Sequence, residues 1–225
     1  MQIGFDKVLI AIGRKANVEG FGLEELEMPL TERGLLKVNA QLQTLYPSIY
    51  ACGDVAGPYQ FTHMASFQAW YATLNALLGR LKKFSVNYRV VPWATFTDPE
   101  VARVGLSEQE AKEQGIAYEL TRYEIDDLDR AIADSEAHGF IKVLTVPGSD
   151  RILGATIVGY HAGELITEFV LAMTHGLGLK KIGATTHIYP TLSESNRFAA
   201  NAWRNARIPV HLLPWAERFF RWRRG

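Results

Sequence analysis

Hydrophobic positions along the chain change period twice. Residues 7–12 are continuously apolar after Lys7 and stop at Gly13-Arg14, the pattern of a strand buried on both faces. Residues 23–26 suit one helical turn, and residues 35–38 and 49–52 supply two more strands. Beyond Gly57-Pro58 the spacing becomes helical over residues 62–81, with Ala65, Ala69, Ala72 and Ala76 set for close packing on one side. Thr62 is the expected N-cap of this helix. From about residue 90 strands are predicted over 90–96, 101–104, 118–125, 140–146 and 151–159, with helices over 107–114, 162–175 and 191–203. Strands that follow strands, with helices on one side, imply a largely antiparallel sheet. The pattern therefore predicts an α/β segment followed by a separate α+β domain.

At 225 residues the chain holds one large or two small domains. Lys plus Arg and Asp plus Glu both number 24, a formal net charge of +0, so no global basic field points to nucleic acid. No apolar run approaches the ~18 residues that span a bilayer. The first twenty residues lack the order of a signal peptide, and the expected setting is cytoplasmic. The single cysteine, Cys52, cannot form an intrachain disulfide and is expected to behave as a small buried hydrophobe. No metal site is expected.

The most informative stretch is Ile49-Tyr50-Ala51-Cys52-Gly53-Asp54-Val55-Ala56-Gly57. An apolar strand runs into a Gly-Asp turn; Gly53 and Gly57 remove Cβ atoms where a ligand would need room, and Asp54 places an acceptor for a sugar or ribityl hydroxyl. The stretch resembles the second flavin-binding motif of the pyridine nucleotide-disulfide oxidoreductases, the family of dihydrolipoamide dehydrogenase, glutathione reductase and mercuric reductase. The resemblance continues through Phe96-Thr97-Asp98-Pro99-Glu100-Val101-Ala102-Arg103-Val104-Gly105-Leu106-Ser107, Gly139-Phe140-Ile141-Lys142-Val143, Ile152-Leu153-Gly154 and Val158-Gly159. It implies the end of a nicotinamide-binding domain over residues 1–45, with Gly13 at the edge of the dinucleotide site. Residues 46–86 would close an FAD-binding domain, residues 87–203 would form a dimerisation domain and make a homodimer, and residues 204–225 would be a basic aromatic tail. In the family the helix after Gly57 points its N-terminus at the flavin ring, which makes Thr62, His63, Met64 and Ala65 cofactor-binding candidates mainly through their backbones. For the His63 side chain a capping or solvent-contact role is favoured over catalysis.

Two departures bear on chemistry. The family passes electrons to a pair of cysteines and cradles its FAD and NAD(P) on Gly-x-Gly-x-x-Gly loops, yet neither feature stands in these residues. The chain is therefore expected to be the C-terminal part of a longer enzyme, inert by itself and holding flavin weakly or not at all. The alternative is a dimerisation module with a vestigial flavin segment. Second, His187-Ile188-Tyr189-Pro190-Thr191-Leu192-Ser193-Glu194 occupies the family's C-terminal signature. There a histidine just before the proline, oriented by the glutamate, serves the partner's cysteines. Here Tyr189 replaces that histidine, and a phenol is a poor base near neutral pH though a usable donor. Tyr189 and Glu194 remain the substrate-side candidates. His187, two residues earlier and on an extended approach, would share Tyr189's face; a structural role for it is favoured over that of substitute base. Mercuric reductases share the tyrosine, but they end in a cysteine pair and this chain ends Arg221-Trp222-Arg223-Arg224-Gly225.

In the tail, six arginines accompany one glutamate from Arg204 onward. A helix begun by Pro214 would align Trp215, Phe219 and Trp222 beside arginines. Docking on the protein's own body is the favoured expectation, and contact with an anionic membrane surface is the alternative.

Overall fold

A computed structural model describes residues 3–209 and 213–224. The chain divides into two compact units, Met1–Tyr88 and Arg89–Gly225.

The first unit is held by a small core of Ala16, Val18, Met28, Leu36 and Ala51. Its three expected strands are not formed. Residues 7–12 are exposed, with Ile12 93% accessible, and among the described residues they pair with no strand. A strand apolar on both faces is stable only between hydrogen-bonded neighbours and under packed layers, which these residues lack. The runs at 35–38 and 49–52 shrink to the isolated bridges Leu30↔Leu36 and Gln43↔Tyr50. Helix α1, Thr62–Leu78, ends three residues before the expected stop, and Phe61 rather than Thr62 takes the N-cap position, without a side-chain capping bond. The alanine stripe also turns partly away: the buried positions are Met64, Gln68, Ala72 and Asn75. Asn75 explains its place in that stripe, since its amide bonds the Gln41 and Phe84 carbonyls and accepts the Phe84 N–H. Cys52 is half-buried rather than buried.

The second unit contains β1 (Pro92–Thr95), β2 (Glu100–Gly105), β3 (Glu119–Glu124), β4 (Phe140–Thr145) and β5 (Ile152–Gly159). They form one fully antiparallel sheet in the order β1-β2-β5-β4-β3. Alternation sorts its faces. Ala102, Val104, Ile141, Val143, Ala155 and Ile157 point into the main core, while Trp93, Arg103, Thr156, Lys142 and Arg122 are cross-strand neighbours in one row on the other face. That row is held partly by Arg103 lying 4.6 Å over the Trp93 ring. Helix α2, Glu108–Glu113, follows β2 and opens on a capping box: the Ser107 hydroxyl accepts the Glu110 N–H, and the Glu110 carboxylate accepts the Ser107 N–H.

Two one-turn helices were not legible from periodicity, α3 (Asp129–Ala133) and, further on, α6 (Leu179–Ala184). The expected helix over 162–175 divides at Ile166 into α4 (Ala162–Leu165) and α5 (Thr167–Thr174). The next, α7 (Glu194–Asn205), starts three residues late because the Thr191 hydroxyl bonds both the Ile188 carbonyl and the Ser193 hydroxyl in a preceding turn. Phe169 of α5 and Ala199, Ala200 and Trp203 of α7 complete the core. The last helix, α8 (Leu213–Arg224), buries none of its residues.

Candidate functional site

In the first unit, Cys52 has extended backbone and feeds a single 3-10 turn, Gly53–Val55. Gly53 has φ +78°, and a Cβ there would stand 3.1 Å from the Ala65 Cβ, so glycine answers both a left-handed backbone and a close approach to α1. Gln68 fixes that approach. Its Oε1 accepts the Gly53 N–H at 2.6 Å, and its Nε2 donates to the Gly57 carbonyl at 2.7 Å and the Tyr88 hydroxyl at 2.8 Å. The side chain is fully buried. Burial pushes the Tyr88 phenol above its ordinary range, only partly opposed by this bond.

Asp54 stays partly exposed on the same turn, 3.8 Å from an Arg14 nitrogen that also donates to the Gln60 carbonyl at 3.0 Å. Arg14 thus draws the segment containing Gly13 to the turn, while Gly13 itself, at φ +139°, has open space around it. At the start of α1, Thr62 and His63 are exposed, Met64 is buried, and Ala65 faces Gly53. The His63 ring stacks on Phe61 at 5.2 Å. A helix's first N–H groups have no intrahelical acceptor, so the start of α1 brings donors and a positive dipole end beside the Asp54 turn. Gly53, Asp54, Thr62, Met64 and Ala65 therefore assemble. Gln68 and Arg14 escaped sequence reasoning; a glutamine inside the buried stripe of a helix was the available signal for the first.

In the second unit the candidates separate. The His187 side chain is 5% exposed, with Nδ1 at 3.0 Å from the Thr185 carbonyl and Nε2 at 2.9 Å from Glu168 of α5. Both facing groups can accept a hydrogen bond from the ring. Asn196 of α7 joins them, donating to Glu168 at 2.9 Å and to the Leu165 carbonyl at 3.0 Å. His187 does not share Tyr189's face: Tyr189 is 67% exposed, and its hydroxyl donates to Asp129 of α3 at 2.8 Å. This bond, followed by the charge of Asp129, raises the Tyr189 phenol above its ordinary value. Glu194 is buried and bonds the Thr191 N–H and Arg197, both at 3.3 Å. A cavity of about 580 Å³, lined by Arg130, Asp134, Tyr160, His161, Glu164 and Thr191 among others, adjoins this loop. Among the described residues no group of three or more His, Cys, Asp or Glu could hold a metal ion.

Comparison with known proteins agrees with this architecture. Residues 91–200 match the model of the pyridine nucleotide-disulphide oxidoreductase dimerisation domain, and residues 1–69 match that of pyridine nucleotide-disulphide oxidoreductases. The dihydrolipoyl dehydrogenase of Chlamydia muridarum is 38% identical over 210 residues, which cover 93% of this chain and 44% of that protein. Among solved structures, LpdA of Mycobacterium tuberculosis superposes with a TM-score of 0.78 at 28% identity, over 86% of this chain and 42% of the other. The HOCl-induced flavoprotein disulfide reductase RclA of Escherichia coli does so with 0.76 at 26%, over 85% and 44%. The chain spans less than half the length of these relatives. With both units matched and the antiparallel sheet in place, the chain belongs to the pyridine nucleotide-disulphide oxidoreductase family.

Proposed function

We propose that this chain forms the C-terminal part of an FAD- and NAD(P)-dependent oxidoreductase that delivers reducing equivalents to a disulfide, a metal ion or another acceptor. One observation carries the proposal: Gln68 locks the Gly53–Asp54 turn against the N-terminal end of α1, so that a carboxylate acceptor and helix-end donors lie side by side. These residues fit the ribityl and ring portion of a flavin, with Asp54 for a hydroxyl and the backbone at Thr62, His63 and Met64 for negative charge, while the Ala65 N–H is already given to the Phe61 carbonyl and Ala65 contributes its small side chain beside Gly53. They do not cradle a pyrophosphate, for which this chain has no glycine-rich loop. Flavin, when bound, supplies hydride transfer between nicotinamide and acceptor. Residues 1–45 then end the nicotinamide domain, residues 46–86 close the flavin domain, and residues 87–203 hold two copies together.

On the acceptor side Tyr189 is a donor rather than a base, because its hydroxyl is already committed to Asp129 and its proton is held more tightly than in free tyrosine. Glu194 anchors the loop through the Thr191 N–H, and His187 anchors it through Glu168. The direct test is flavin retention in the full-length protein. Asp54→Ala should weaken FAD binding by about tenfold or more, the worth of one charge-assisted hydrogen bond. Unchanged retention would remove Asp54 from the site and favour a module that only assembles.

A further inference from the structure

Helix α8 is the one element that the family domain leaves unexplained, since the matched dimerisation domain ends at residue 200. Arg207, before it, is anchored: it stacks 4.1 Å over Trp203, donates to the Trp203 carbonyl and pairs with Glu119. No such tie continues into α8. Among the described residues, no hydrogen bond, ion pair or ring contact joins α8 to another element, and Trp222 is 78% accessible. The expected docking of this helix on the protein's own body is therefore not what the structure shows.

The helix is divided lengthwise. At 3.6 residues per turn, Trp222, Trp215, Phe219, Ala216, Phe220 and Leu213 fall on roughly one half of its circumference, interrupted only by Arg223. Arg218, Arg221, Arg224 and Glu217 occupy the other half. Four arginines against one glutamate make it cationic. Its length is about 18 Å, and no helix among the described residues is long and apolar enough to cross a membrane.

We propose that α8 lies in the surface of an anionic bilayer, its aromatic half at the headgroup–acyl boundary and its arginines among lipid phosphates. Arg223 can bend its guanidinium out of the apolar half toward the same phosphates, as long cationic side chains do. Charge complementarity and segregation together select this occupant. A single-stranded nucleic acid stacks its bases on aromatics and meets cations along the same groove, whereas here the aromatics and most of the arginines face opposite ways. The inference is independent of the flavin assignment and of the acceptor.

Flotation of the 225-residue chain with phosphatidylcholine vesicles, with and without phosphatidylglycerol, tests it. Binding is expected to the anionic vesicles, weakening as salt rises. The triple variant Arg218→Gln, Arg221→Gln, Arg224→Gln should bind about tenfold more weakly or worse, and the triple variant Trp215→Ala, Phe219→Ala, Trp222→Ala should not float. All six residues are exposed, so both variants should keep the parent's unfolding transition. Failure of the parent chain to float with anionic vesicles overturns the proposal, as does undiminished binding by either variant. A fall in solution mass caused by the aromatic substitutions would instead identify a second copy as the occupant. Displacement from vesicles by poly(U) at equal charge would identify a nucleic acid.

Discussion

Single side chains in this protein do their work through the partner each one finds. Glu110 completes the Ser107 capping box and also pairs with Arg103, and that pairing, first among the causes, holds its carboxyl at about 2 against an ordinary 4.5. A folded-state value below the unfolded one contributes stability that is complete above the unfolded value and is lost as pH falls through the folded one. Glu110 therefore contributes fully above pH 4.5 and loses its contribution as pH drops toward 2. Its side chain is 38% exposed, so screening reduces the effect to about 1 kcal/mol. Glu110→Gln should narrow the difference in urea-unfolding stability between pH 7 and pH 3 by roughly half that amount, since the loss is complete only near pH 2; an unchanged difference would show that other carboxylates set the acid limb. Tyr189→Phe removes the bond to Asp129 from an exposed ring. It should leave the unfolding stability almost unchanged. In the full-length oxidoreductase proposed above it should slow acceptor turnover by about tenfold or more, with little effect on flavin reduction by nicotinamide. Stopped-flow traces beside steady-state rates check this; equal slowing of both would take Tyr189 off the acceptor side.

Between elements, two buried polar groups fix the geometry of the candidate sites. Gln68 joins the Gly53 turn, Gly57 and Tyr88 to α1. Gln68→Leu would leave a buried N–H and a buried carbonyl unpaired, at a cost of about 2–4 kcal/mol, readable as a loss of unfolding free energy in the 225-residue chain. A cost under about 1 kcal/mol would mean that the turn finds other partners. His187 fastens the loop before Pro190 to Glu168 on α5, which Asn196 of α7 also holds. His187→Ala strips the partly buried Glu168 carboxylate of one partner and should cost about 1–2 kcal/mol, more than Tyr189→Phe two residues away. Comparable costs for the two substitutions would show that the loop is not held in this way.

At the scale of the whole molecule, residues 91–200 match a dimerisation domain, and the expected species is a two-fold homodimer of the 25.2 kDa chain. Light scattering at micromolar concentration should give twice that mass, with substitutions on the outer surfaces of α5 and α7 lowering it. A species of 25.2 kDa alone would contradict the assignment of the domain's role. The exposed apolar run at 7–12 adds a second whole-molecule property. Strand-forming residues without strand neighbours offer their backbone to any edge, so removal of residues 3–12 should reduce aggregation of the chain on concentration while leaving the mass at low concentration unaltered.

The sequence by itself determined the antiparallel domain. Its strands are set by period-two alternation, and each observed strand lies within two residues of the predicted one at either end, because alternation is a local property that each strand carries alone. It also determined the Gly53–Asp54 turn and the start of α1, where glycine and a helical period mark the backbone directly. Tertiary structure decided the rest. Residues 7–12 have the composition of a strand, but a strand exists only by pairing, and its partners are not in their own sequence. His187 and Tyr189 sit two residues apart, yet one turns inward to Glu168 and the other outward to Asp129. No spacing rule contains that choice, since it was made by carboxylates 19 and 60 residues away, brought near only when α3 and α5 had packed.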